Sequence, residues 1–114
     1  MSELSPAERI IAAIRAIPAG QVAGYGHVAR RAGLPGRARM VARVLREHGD
    51  LELPWHRVLR SDGRIAFPPG SKGYREQSQR LRAEGGDVKA GRVRIADSVR
   101  DLDGDLDAAL WRPR

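Results

Sequence analysis

The chain has 114 residues, 41% apolar and 31% charged, enough for one domain with a single modest core. It contains no 18-residue apolar run, and its acidic start "MSELSPAERI" has no apolar stretch of the secretory kind, so neither a membrane span nor a leader is expected and a cytoplasmic protein is. The lack of cysteine excludes disulfides, thiolate metal sites and a thiol nucleophile, while a net charge of +7 points to a polyanionic partner.

All but Lys72 and Lys89 of the 21 basic residues are arginine, whose planar fork suits phosphates and base edges. A genome rich in arginine codons would explain arginine over lysine. It would not explain the excess of positive over negative charge.

In chain order, "SPAERIIAAIRAIPAG" predicts a helix marked at both ends. Ser5 caps it, Pro6 suits the first helical position, Glu8 completes a capping box, and Pro18 and Gly20 stop it. Ile10, Ile14 and Ile17 form its buried stripe, with Ile11 and Ala13 beside them. A short helix follows over His27–Ala32, closed by Gly33, and Leu34-Pro35-Gly36 turns the chain into a second helix from about Arg37 to Glu47. The pair reads as a helix-turn-helix. On its second helix Ala38, Val41 and Leu45 form an oily side, and Arg39, Arg43 and Arg46 a cationic one. Such a charged face is most often solvated surface, but here the overall charge turns the reading towards DNA.

Residues 53–67, "LPWHRVLRSDGRIAF", predict a β-hairpin turning at Ser61-Asp62-Gly63. After the Pro/Gly-rich "FPPGSKG", "YREQSQRLRAEGG" predicts a helix closed by Gly85, with Leu81 and Ala83 among its few apolar residues. "DVKAGRVRI" suits a last strand or hairpin, and an acidic tail fills residues 96–114. The expected architecture is α+β: one domain over 1–114, core about 5–95, built on a winged-helix-like helix-turn-helix with a short β-hairpin.

The chemistry is limited. His27, His48 and His56 lack zinc-site spacing, and the aspartates of "DLDGDLD" lack a calcium loop's frame, so no metal and no cofactor are expected. Gly20, Gly24 and Gly26 form no phosphate-cradling pattern. His56 is a candidate general base that Glu84 could orient, and such a pair ordinarily serves a neighbouring nucleophile. The neighbour is Trp55. An indole nitrogen donates a hydrogen bond but has no free lone pair, so it accepts no alkyl group.

At this point "PWHRV" resembles the P-C-H-R-V signature of the O⁶-alkylguanine-DNA alkyltransferases, with tryptophan replacing the acceptor cysteine as in the alkyltransferase-like proteins. "GQVAGYGHVARRAGLPGRARMVARVLR" is similar to the family's helix-turn-helix, "RSDGRIAF" to the hairpin after the signature, "RLRAEG" to a helix ending in Glu-Gly, and "LWRP" to the usual ending. The resemblance covers roughly residues 5–95 and implies a non-enzymatic monomer that recognises O⁶-alkylguanine in duplex DNA. Binding would be through the minor groove with base flipping and without alkyl transfer, and the lesion would pass to nucleotide excision repair proteins.

The resemblance also implies roles. Tyr25 would help rotate the nucleotide and Arg39 would fill the gap. Gly36, Arg37, Ala38, Met40 and Arg43 would meet DNA around it. Pro54, Trp55, His56 and Val58, with Tyr25, would line the lesion pocket, and His56 and Glu84 would be the former activating network. Where some alkyltransferase-like proteins carry a loop arginine this chain has Pro68 and Pro69, leaving Arg64, Lys72 or Arg75 as substitutes. Two rival readings stand beside this one: a helix-turn-helix transcription regulator with Trp55 as core, and a hydrolase using His56 and Glu84.

Overall fold

The computed structural model describes residues 4–93, so the acidic tail and the "LWRP" ending fall outside the described residues. Helix α1, Pro6–Arg15, starts on the expected capping box: Ser5 Oγ accepts the Glu8 N–H at 3.1 Å and Glu8 Oε1 accepts the Ser5 N–H at 2.8 Å. Its inward stripe, Ile10 and Ile14, is fully buried, and Ile17 is buried just beyond it. Each such side chain contributes about 1.5–3 kcal/mol by leaving water.

Strand β1, Ala23–Gly24, leads directly into α2, Tyr25–Arg31, which begins two residues before the expected His27. The extended Gly24 serves as its N-cap, so Tyr25 is the first helical residue. The stop at Gly33 is as expected: Gly33 N–H bonds to Arg30 O and Leu34 N–H to Ala29 O, a Schellman closure. Helix α3, Ala38–Glu47, then packs on α1 and α2. Its inward face centres on Val41 and Val44; Ala38 and Leu45, expected inside, are half-buried because that face is turned slightly towards Val44. Arg39, Arg43 and Arg46 are exposed, as the cationic side requires.

The hairpin expected over residues 53–67 does not form as a ladder. The turn is present, with Gly63 N–H bonded to Arg60 O and Arg60 N–H to Arg64 O. However, Trp55–Arg57 is a single 3₁₀ turn, and β2, Val58–Leu59, pairs in parallel with β1. The arm after the turn goes elsewhere: Ile65 N–H bonds to Gly91 O, and Arg64 bridges Arg92. The short hairpin of the fold is instead β3, Val88–Lys89, with β4, Arg92–Val93.

Helix α4, Lys72–Ala83, lies between these parts, capped by Ser71 Oγ on the Tyr74 N–H at 3.2 Å. Leu81 is buried in it as expected, while Ala83 is exposed. The parallel pair Ala23↔Val58 and Gly24↔Leu59 separates two apolar cores. Strand alternation sends Ala23 and Val58 to the helical core with Ile10, Ile14, Val28, Val41 and Val44. It sends Val22 and Leu59 to a second core with Ile65, Leu81, Val88 and Val93.

Candidate functional site

The sequence "PWHRV" is held where α4 ends. Gly85, at φ +90°, lets the chain leave α4 through a second Schellman closure, Gly86 N–H to Leu81 O at 2.8 Å and Gly85 N–H to Arg82 O at 3.0 Å. That closure fixes the C-cap residue, Glu84, whose carboxylate collects three partners. Arg57 donates from Nε to Oε1 at 3.0 Å and from Nη2 to Oε2 at 2.6 Å; His56 Nε2 bonds Oε2 at 2.9 Å; the Gly20 N–H reaches Oε1 at 3.4 Å. Arg57 also donates from Nη1 to Ile17 O at 2.8 Å, so one guanidinium ties the loop after α1 to the end of α4.

The bidentate Arg57 guanidinium, followed by the bonds from His56 and Gly20, outweighs partial burial and lowers the Glu84 pKa from 4.5 to about 2. Glu84 is therefore a carboxylate at neutral pH. It accepts the His56 Nε2–H, which in a neutral ring leaves the lone pair on Nδ1; this buried atom has no hydrogen-bond partner among the described residues. Below the turn, the buried Gln77 donates from Nε2 to both His56 O and Val58 O, at 3.0 and 3.1 Å. Neither Arg57 nor Gln77 was assigned a role from sequence. Arg57 could have been suspected as the third residue of a signature already containing the candidate base, whereas Gln77 gives no local signal.

Trp55 is half-buried and braced on several sides. Its ring meets His56 edge-on at a centroid distance of 6.1 Å and Phe67 at 6.0 Å, both nearly perpendicular. The Arg80 guanidinium stands 5.5 Å from its centroid and is anchored by Glu76 one turn earlier, Nη2 to Oε2 at 3.0 Å. Phe67 lies against α4 at Gly73, where a Cβ would come within 2.8 Å of two ring carbons. Phe67 and Arg80 were missed in sequence because their contact with Trp55 is made across the fold. Of the suggested cations, Arg64 pairs with Asp62, Lys72 begins α4 and Arg75 is exposed on it. The guanidinium over Trp55 is that of Arg80.

The structure thus brings Pro54, Trp55, His56, Val58 and Glu84 into one neighbourhood. Tyr25 stands at the start of α2, half-buried against the helical core; burial raises its phenol pKa, with Arg46 pulling the other way. Arg37, Arg39 and Arg43 are exposed, Met40 and Ala38 half-buried, and the space around Gly36 is open. Chemically, the site combines a fixed aromatic wall with a rigid ion-pair network, and an indole occupies the position next to the candidate base.

A helix-turn-helix joined to such a network defines a DNA-binding domain of the methyltransferase kind. The chain belongs to that family: the model of the 6-O-methylguanine DNA methyltransferase DNA binding domain matches residues 5–86. Within it the chain groups with the alkyltransferase-like proteins. It is 32% identical over 106 residues to alkyltransferase-like protein 1 of Schizosaccharomyces pombe, spanning 92% of this chain and 93% of that one. It is 42% identical over 84 residues to a DNA base-flipping protein of Vibrio parahaemolyticus, spanning 70% and 79%. The fold matches the crystal structure of S. pombe Atl1 in complex with damaged DNA containing O6-carboxymethylguanine, with a TM-score of 0.69 at 31% identity over 86% of this chain and 94% of that one.

Proposed function

We propose that this protein recognises O⁶-alkylguanine in duplex DNA without repairing it. The cationic face of α3 meets the minor groove, Tyr25 and Arg39 help extrude the modified nucleotide and fill its place, and the base rests against Trp55. Extrusion costs a few kcal/mol, least where alkylation has already weakened pairing. An aromatic wall offers apolar contact to an alkyl group and a flat surface to a purine.

The observation that carries this reading is the His56–Glu84–Arg57 network, intact at 2.6–3.0 Å beside an indole instead of a thiol. The scaffold of an alkyl acceptor is kept while the acceptor itself is absent. Trp55 gives no alkyl-accepting lone pair for His56 to activate, so the protein binds and does not turn over. As a monomer it would mark the lesion for nucleotide excision repair proteins.

The test is a titration of one duplex with and without a single O⁶-methylguanine, at fixed salt because phosphate contacts make affinity steeply salt-dependent. Tighter binding of the modified duplex, with its methyl group still in place afterwards, is the expected result. Equal affinity removes the sensor reading and favours a sequence-reading regulator. Loss of the methyl group removes the claim that the site is inert.

A further inference from the structure

A groove of about 630 Å³ runs between α1 and α2 on the helical half of the molecule, apart from Trp55. One wall is α1 and its C-cap, carrying Ala12 and Ala16, whose short side chains leave the space open; Val28 of α2 is on the other. Leu4 lines it too. Of the two large apolar side chains exposed among the described residues, Phe67 stands at Trp55 and Leu4, half exposed, lies here. Arg9 of α1 and Arg31 of α2 supply positive charge to the lining. The groove therefore suits an occupant that is both apolar and acidic.

We propose that the occupant is the chain's own C-terminal segment, residues 96–114. Its sequence, "ADSVRDLDGDLDAALWRPR", has the matching composition. Leu102, Leu106 and Leu110 recur every four residues with Trp111 beside the last, and Asp101, Asp103, Asp105 and Asp107 stand between and around the first two. Such regularly spaced leucines among acids are a sequence pattern that apolar, positively charged grooves accept. Reach is ample: residues 94–114 can extend up to ~70 Å, more than the 42 Å longest dimension of the molecule. The cationic face of α3 offers charge, but its outward side chains Arg39, Arg43 and Arg46 give the leucines nothing apolar to cover. The groove gives both. Docking there keeps the aspartates off the face that meets DNA.

The absence of cysteine makes a direct test possible in the full chain. Ala108→Cys carries a nitroxide, and its broadening of backbone amide signals is measured by NMR at low salt. Ala12, Ala16 and Val28 are expected to lose most of their intensity while Ala38 and Met40 keep theirs. Reversing the groove's charge with Arg9→Glu and Arg31→Glu is expected to restore the lost signals, and both side chains are exposed, so the fold should tolerate the change. Broadening centred on Ala38 and Met40 would mean that the segment covers the DNA face, and the proposal fails. Weak broadening spread over the whole chain overturns it equally. So does groove broadening that survives the double reversal, since charge is what commits this segment to this groove.

Discussion

Replacing Glu84 by glutamine tests whether the network serves the architecture of the fold. The carboxylate binds His56, Arg57 and Gly20 at once, with the Arg57 and Glu84 side chains only 17% and 20% exposed. Its pKa falls from 4.5 to about 2 in the folded chain, which corresponds to about 3 kcal/mol at about 1.4 kcal/mol per pH unit. Glutamine keeps the shape but leaves the Arg57 guanidinium without its counter-charge, a loss of the same order with some relief from solvent. Because the folded pKa is depressed, this stabilisation is complete above the unfolded value and disappears as pH falls through the folded one. Urea unfolding at about pH 7 should therefore show the variant about 2–3 kcal/mol less stable, a midpoint lower by roughly 1–2 M. The gap should narrow as pH falls from about 5 to about 2, because the unfolded carboxyl takes up its proton first and the folded one only near pH 2, leaving a neutral group that glutamine mimics. A gap under about 1 kcal/mol at neutral pH, or one unchanged by acid, would refute the assignment of this network as a staple.

Other outcomes follow from the site and the cationic helix. Arg39→Ala and Tyr25→Ala should each weaken binding to the O⁶-methylguanine duplex by about 1–3 kcal/mol in a fluorescence titration; if both match wild type, their assigned roles are wrong. Arg43→Gln should reduce the slope of log affinity against log salt by about 1, with little change in preference for the lesion. Phe67→Ala removes the edge contact bracing Trp55 and should cost about 0.5–1.5 kcal/mol in lesion affinity, read against an unmodified duplex that should bind unchanged. Trp55→Cys should not by itself restore efficient methyl transfer, because the Pro68-Pro69 loop lacks the backbone N–H groups that could face the alkylated oxygen. Stoichiometric transfer to the new cysteine would overturn that view.

What was legible in the sequence was local or carried by the signature. The capping box at Ser5 and the stops at Gly33 and Gly85 are chemistry of adjacent residues, and they were found where the pattern put them. Trp55, His56 and Glu84 stand out in the sequence through the signature and the helix-ending Glu-Gly, and the fold brings His56 and Glu84 into contact. The hairpin over 53–67 was misread because β-prone residues around an Asp-Gly turn specify a bend without specifying partners. Val58 and Leu59 pair with β1, and Ile65 with the β3–β4 turn, for reasons of burial across the chain. Tyr25 lies outside the helix expected from His27 because the glycines at 24 and 26 are poor helix formers, whereas in the fold the extended Gly24 is the N-cap and Tyr25 the first helical residue. Gln77, Phe67 and Arg80 lie on segments whose own patterns suggest only loop or helix surface, and tertiary packing alone brings them to the site.

The parallel pairing of β1 with β2 has a consequence for the order in which the molecule is made. Helices α1, α2 and α3 are neighbours in sequence and can find one another quickly, since closing short loops is entropically cheap. Ala23 and Val58 meet only after the intervening stretch has been closed, and Glu84 reaches His56 later still along the chain. Contacts made after the folding barrier govern escape from the native state more than entry into it. Damage to the Glu84 network should accordingly quicken unfolding and leave refolding nearly untouched, so that the helical half assembles first and the end of α4 is set in place last.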